Sequence, residues 1–168
     1  MDFEQADAIN QAIRLLSLRH RARIAALLTP LGLHPGQEAL LLELSRTGPM
    51  IQAQLSEVLG CEPPSVTLMT GKLEAAGYVH RKPVPSDKRA CIIELTESGK
   101  ALVEGIRQVW CALAEETVAG LSAGTVAALP GLLKTMTDNV DTRRLRHQQG
   151  RQAGVVLPHT PGRFTTRT

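Results

Sequence analysis

Arg81, Lys82, Lys88 and Arg89 lie within one short stretch in which Asp87 is the only acid. Pro83 and Pro85 fall between them. Two prolines forbid a continuous strand ladder, so residues 83–89 are expected to form a projecting loop with a cationic tip. Such a finger suits phosphate groups. Just upstream, Ser65, Thr67, Leu68, Gly71 and Lys72 share one face of a helical pattern, with Pro64 beside them. They are small, hydroxylic or basic, and short enough for the backbone to approach a groove closely. Hydroxyls read either base class, whereas Leu68 can meet only a thymine methyl or another apolar surface. A lone helix and a lone charge run would read as core and solvated surface. A helix followed at once by a cationic hairpin reads as a surface for a nucleic-acid backbone and its groove.

These residues need a short helix and a hairpin to position them. Pro63, Pro64 and Ser65 can open the helix because first-turn amides have no intrahelical acceptor. Val66, Met69, Leu73 and Ala76 recur at three- and four-residue spacing and are expected to face the core. Gly77 is placed to end the helix in a left-handed conformation. Residues 78–82 and 90–95 then read as strands, the second alternating Cys91, Ile93 and Leu95 against Ile92 and Glu94.

The blocks 52–60 (QAQLSEVLG), 63–73, 77–79 (GYV), 87–89 (DKR) and 95–99 (LTESG) stand in this order. Together they resemble the MarR family of bacterial transcription regulators over roughly half the chain. The resemblance implies a mainly α fold with a small β-hairpin wing, a winged helix-turn-helix carried on long dimerisation helices. It implies a homodimer that binds double-stranded DNA at an inverted-repeat operator, with half-sites about 34–36 Å apart. It implies that Arg89 enters the minor groove, where a narrow A-tract concentrates negative potential, while Asp87 orients it by a salt bridge. Arg81, Lys82 and Lys88 would meet phosphates. The sequence departs from the family where Leu68 replaces a frequent Arg and Gly71 a frequent Asp, so the operator sequence is not expected to be inherited from the family. Thr70 replaces a usually apolar residue, and its hydroxyl is expected to bond back to helix carbonyls.

Composition bounds the rest. The 168 residues carry a formal charge of +3, which permits nucleic-acid binding without demonstrating it. The aromatic residues are Phe3, Tyr78, Trp110 and Phe164, so the core must be aliphatic. The acidic start, Met1-Asp2-Phe3-Glu4, is unlike a secretory signal, and no stretch approaches a membrane span. A cytoplasmic protein without membrane association is expected. Cys61, Cys91 and Cys111 are odd in number and widely spaced, which fits reduced thiols. No zinc spacing, phosphate loop, nucleophile elbow or carboxylate pair occurs, so neither an enzyme nor a cofactor is expected.

In chain order, residues 3–29 read as one helix of about 40 Å, with Ile9, Ile13, Leu16, Ile24, Leu27 and Leu28 at helical spacing. Its spare apolar surface predicts a partner helix. Pro35 suits the first position of a second helix, 36–46, and His34 stands where the family commonly has a capping Thr or Ser. A third helix, 51–59, starts at Ile51, which cannot cap, so this start should be weaker by about 1 kcal/mol unless Gln54 substitutes. Thr96 is placed to cap a helix to residue 118, and Ser122 to cap a last one, 123–146. Pro130-Gly131 should divide that last helix into two segments. The organisation expected is a dimerisation region of 3–34 and 98–146 around a DNA-binding domain, 35–97. The basic segment 147–168 is expected to be a mobile arm adding unspecific DNA affinity, or a tail packing through Val155, Val156 and Leu157.

Similar regulators bind small, often aromatic or phenolic ligands between the dimerisation helices and the reading domain. The polar candidates there are His20, Arg23 and His34, with Arg23 suited to an anionic ligand. An effector of this kind, anionic or aromatic, is expected to release a repressor. Two alternatives are kept. One is a thiol-based redox-sensing regulator using Cys61, near a helix N-terminus where a thiolate is favoured. Cys91 and Cys111 are assigned to hairpin and helix core, and no cysteine stands near the start of the first helix, where the family's peroxide sensors carry theirs. The other is a winged-helix protein-interaction module without specific DNA binding.

Overall fold

The computed structural model describes residues 1–84 and 87–141, and the side chains of Asp87, Lys88 and Arg89 are outside that description. Two compact units are present, Met1–Ala119 and the segment from Gly120 onward.

The first unit begins with α1 (Phe3–Leu28), opened by the Asp2 carboxylate, which accepts the Gln5 amide at 2.8 Å. A turn of 3-10 helix (Thr29–Leu31) ends at Gly32, held at φ +68. Then follow α2 (Gln37–Thr47), β1 (Met50–Ile51), α3 (Gln52–Val58), α4 (Pro63–Ala75), β2 (Val79–Val84), β3 (Asp87–Leu95) and α5 (Glu97–Val118). The strands form an antiparallel sheet in the order β1-β3-β2. The winged helix-turn-helix is therefore present, mostly helical and with a small sheet, as expected. Its core is aliphatic: Leu28, Leu40, Leu41, Leu55, Val66, Leu73, Val79, Ile93 and Ile106 are fully buried. These come from every element from α1 to α5 except the 3-10 turn and β1, so the helices clamp the inner face of the sheet.

Several local expectations are corrected. The second helix starts at Gln37, with Gly36 rather than Pro35 at its threshold. Gly36 sits at φ +100, and a Cβ there would lie 2.9 Å from the Met69 sulfur. Ala76 is exposed at the C-cap of α4, whereas Thr70 is fully buried. A hydroxyl is tolerated there because it donates back to the carbonyls of Val66 (2.9 Å) and Thr67 (3.1 Å).

The loop expected over 83–89 is also shorter. Pro83 pairs with Cys91 and Val84 with Asp87, with a register shift between Pro83 and Val84. Proline is accommodated because β2 is an edge strand, where a missing amide need not break a ladder. A strand absent from the sequence reading, β1, pairs Met50 with Ile93 and Ile51 with Ile92. Ile51 offers no side-chain acceptor to α3, but Gln54 Oε1 accepts the Ile51 amide at 3.2 Å. Half of a capping box is made.

In the second unit, Ser122 Oγ accepts the Thr125 amide at 3.2 Å and opens α6 (Ala123–Asn139). This helix runs unbroken through Pro130, against the expected division. Proline's fixed φ is itself helical, so the loss is confined to the turn that its amide would have closed. The helix ends at Asn139, and the segment from residue 142, with Val155, Val156 and Leu157, lies outside the described residues.

Candidate nucleic-acid interface

The helix α4 ends in two backbone bonds that fix it against the hairpin. The Gly77 amide donates to Glu74 O (2.9 Å) and the Tyr78 amide to Leu73 O (2.9 Å), with Gly77 at φ +78. This is the left-handed cap expected. The chain therefore turns directly from α4 into β2, which sets the wing beside the helix.

Pro64, Ser65, Thr67, Leu68 and Lys72 are exposed together on the outer face of α4. Leu68 is 61% exposed, a large value for a leucine in the middle of a helix. Pro64, Thr67, Leu68, Gly71 and Lys72 line one shallow groove along this face. The Thr67 hydroxyl donates to Pro63 O at 2.9 Å and accepts from Gln52 Nε2 at 2.8 Å.

Gln52, the first residue of α3, was missed in the sequence. Its Oε1 accepts from Arg81 Nη2 at 3.1 Å and from the Thr70 hydroxyl at 3.4 Å. One carboxamide thus ties α3 to α4 and to the wing strand β2. No sequence pattern could have identified it, because its partners lie 15, 18 and 29 residues away.

Arg81 is half-buried, with Glu74 at 3.9 Å besides Gln52. Lys82 pairs with Glu94 across the hairpin, and this ammonium holds the Glu94 carboxyl below its usual range. Arg81 and Lys82 are therefore both engaged within the protein. The expected Asp87–Arg89 salt bridge, and Lys88, lie outside the described side chains.

Behind α4 a crevice of about 770 Å³ opens between α1, α2 and α5. His20, one of the expected polar residues, lines it. Arg23 and His34 do not. Arg23 points instead to α5, where Nε and Nη2 donate to the two carboxylate oxygens of Glu116 at 2.7 and 2.6 Å. His34 is exposed, and its amide donates to Gln37 Oε1 at 2.8 Å. The crevice is lined instead by Arg21, Glu38 and Trp110, none of which the sequence singled out.

Glu38 is buried in the first turn of α2, and its Oε2 accepts the Gly36 amide at 2.6 Å. Burial pushes its carboxyl above the usual range, opposed by the hydrogen bonds it receives from its own amide and those of Gly36 and Ala39. Cys61 also lines the crevice, half-buried, with its sulfur 3.5 Å from Leu59 O. Cys91 is half-buried in β3, as expected for the hairpin, but Cys111 is exposed on α5, against its assignment to helix core. The buried stripe of α5 runs through Val103, Ile106 and Leu113, and position 111 falls off it.

A MarR family model matches residues 33–91. The protein MarR of Escherichia coli K12, named for multiple antibiotic resistance, is 29% identical over 133 residues, 79% of this chain and 92% of that one. The uncharacterized HTH-type transcriptional regulator YwoH of Bacillus subtilis is 32% identical over 111 residues, 66% of this chain and 77% of the relative. A crystal structure of a mutant E. coli MarR complexed with operator DNA superposes with a TM-score of 0.71 at 28% identity, covering 81% of this chain and 99% of that one. The match to the family model opens at Leu33, ahead of α2, and closes at Cys91 within β3, so it covers most of the winged helix-turn-helix just described. By its fold and by these likenesses together, the chain belongs to the MarR family of transcription regulators.

Proposed function

We propose that the protein is a homodimeric, cytoplasmic repressor that reads an inverted-repeat operator through α4 and the wing and is released by a small molecule held in the crevice. The observation that carries this reading is the outer face of α4, where Pro64, Ser65, Thr67, Leu68 and Lys72 stand exposed beside the hairpin. A related MarR was crystallised with operator DNA, which supports a groove as the occupant of that face. Arg81 and Lys82, with Lys88 and Arg89 further along the wing, would supply the salt-dependent contacts to phosphate.

Two further features support the rest of the reading. Along α1, Ile9, Ile13 and Leu16 are exposed apolar residues at helical spacing, suited to a second copy of the same helix. No single helix among the described residues is long and apolar enough to cross a membrane, so that surface is not explained as a span. The crevice, at about 770 Å³, is of the size that takes a small organic ligand. Trp110 gives its wall an aromatic side chain, and Arg21 a partner for an anionic group. Ser65, Leu68 and Met69 of the reading helix form part of its wall, so an occupant would touch the element that reads DNA. Coupling of about 1–3 kcal/mol is enough to switch affinity.

The test is fluorescence anisotropy of the full chain on the intergenic DNA beside its own gene, across a salt series, with an Arg89→Ala variant alongside. Saturable binding far tighter than to random DNA, and weaker in the variant, is the expected result. Equal affinity for all sequences, vanishing with salt, would overturn the operator reading in favour of a protein-interaction module.

A further inference from the structure

The outer face of α4 is short of the groups that ordinarily read purines. Guanine is read by an arginine or a lysine, adenine by a carboxamide, and cytosine by a carboxylate. In the groove along α4 only Lys72 is charged, and none of its lining residues carries a carboxamide or a carboxylate. The nearest carboxamide, Gln52, already donates one amide hydrogen to Thr67 and accepts from Arg81 at its oxygen. The Thr67 hydroxyl is committed as well, with its proton on Pro63 O and an acceptor site on Gln52. What Thr67 has left for an approaching groove is its methyl group and one hydroxyl lone pair, so it has no proton to give to a purine acceptor.

One turn of helix carries this methyl, the exposed Leu68 and, at Gly71, no side chain at all. Nothing lies within 4 Å of where a Gly71 Cβ would stand. Glycine inside a helix costs about 0.5–1 kcal/mol relative to alanine. Among the described residues no neighbour requires it. An open position in the floor of an apolar groove is what close approach by an outside surface demands. Thymine is the one base that presents a methyl group in the major groove.

We propose that Leu68 and the Thr67 methyl are specificity-determining residues that read thymine methyl groups, with Gly71 leaving room for the base edge and Gln52 holding Thr67 in the methyl-outward position. The inference rests on the DNA-reading function proposed above and assigns its chemistry. The operator half-site then contains thymines at adjacent or near-adjacent positions under α4, in place of a guanine read by a forked cation.

The test begins by enriching duplexes from a randomised pool with the full-length protein. Each thymine of the enriched half-site is then replaced by deoxyuridine, which differs only by the methyl, and affinity is measured by anisotropy. One or two thymines per half-site should show a loss of about fourfold each, the worth of one buried methyl. Leu68→Ala should bind the thymine and uracil duplexes equally at one of these positions. Thr67→Ser, which keeps both hydroxyl bonds, should do so at the other. Uracil tolerated everywhere, in a duplex still bound selectively, would overturn this inference alone. Leu68→Ala and Thr67→Ser retaining the full thymine preference would do the same. A pool that enriches no sequence would overturn the DNA-reading function and this inference with it.

Discussion

The Gln52 carboxamide nitrogen donates to the Thr67 hydroxyl across 2.8 Å, while its oxygen accepts from Arg81. The reading helix and the wing are thus referred to a single side chain on the helix between the core and the groove. Gln52→Ala should lower stability by about 1–2 kcal/mol, since it leaves part-buried donors unmatched. It should also weaken DNA binding. Gln52→Glu keeps the acceptor for Arg81 but cannot donate to Thr67, so it should retain most of the stability and lose selectivity between duplexes. Urea denaturation and anisotropy on the two variants separate the contributions. Wild-type selectivity in both would remove Gln52 from the reading apparatus.

Gly99 explains one of the blocks shared with the family. The Thr96 hydroxyl donates to Gly77 O at 2.7 Å and accepts the Gly99 amide at 2.9 Å, while the Thr96 amide donates to Tyr78 O at 3.0 Å. The start of α5 is therefore pressed onto the turn that ends α4. A Cβ on Gly99 would lie 2.1 Å from Tyr78 O, a backbone atom. Gly99→Ala should cost about 3 kcal/mol, at the upper end of overpacking effects, read as a fall in the urea midpoint. A loss below about 0.5 kcal/mol would mean that the two elements separate freely.

Glu38 gives a pH signature. Burial raises its carboxyl above the usual range in the folded state. The folded protein then holds that proton more tightly than the unfolded chain. Its contribution is present in full below the ordinary carboxyl range and is lost as pH rises through the elevated folded value. Glu38→Gln should match the wild type in acid and become the more stable of the two as pH approaches neutrality. Denaturant midpoints from pH 4 to 7 measure this, and a difference independent of pH would contradict it.

The Arg23–Glu116 pair has the opposite sign. The hydrogen bond from Arg23 is the main cause holding the Glu116 carboxyl below its usual range. Stability from this pair is present above the ordinary carboxyl range and is lost as pH falls through the depressed folded value. Glu116→Gln should therefore be slightly less stable than wild type at neutral pH and equal to it in strong acid. Both residues are about half exposed, so added salt should shrink the effect. A gap that persists at low pH would assign the contact to packing instead.

Pro130 interrupts the hydrogen bonding of an otherwise continuous α6. Pro130→Ala restores an amide donor at an exposed position and should strengthen that helix by up to about 3 kcal/mol. The expected readout is greater helical circular dichroism and a higher melting temperature. An unchanged or lower melting temperature would show that the proline conformation is required.

The sequence by itself determined the elements and the order in which they are built. Proline at the start of α4, Gly77 at its end, Thr96 and Ser122 as caps, and apolar spacing along α1 and α2 are local rules, satisfied within a few residues of chain. The outer face of α4 was legible for the same reason, because a helix fixes which residues share a side. Only the tertiary structure decided what each polar group is already bound to. Arg23 read as a ligand partner until α5 brought Glu116 against it, 93 residues away. The two-residue strand β1 has too little sequence to carry a period, and it exists because β3 offers it an edge. Gln52 and Glu38 gave no signal, since a carboxamide or a carboxylate at a helix start is ordinarily solvated. Folding placed one between the reading helix and the wing and buried the other in the wall of the crevice.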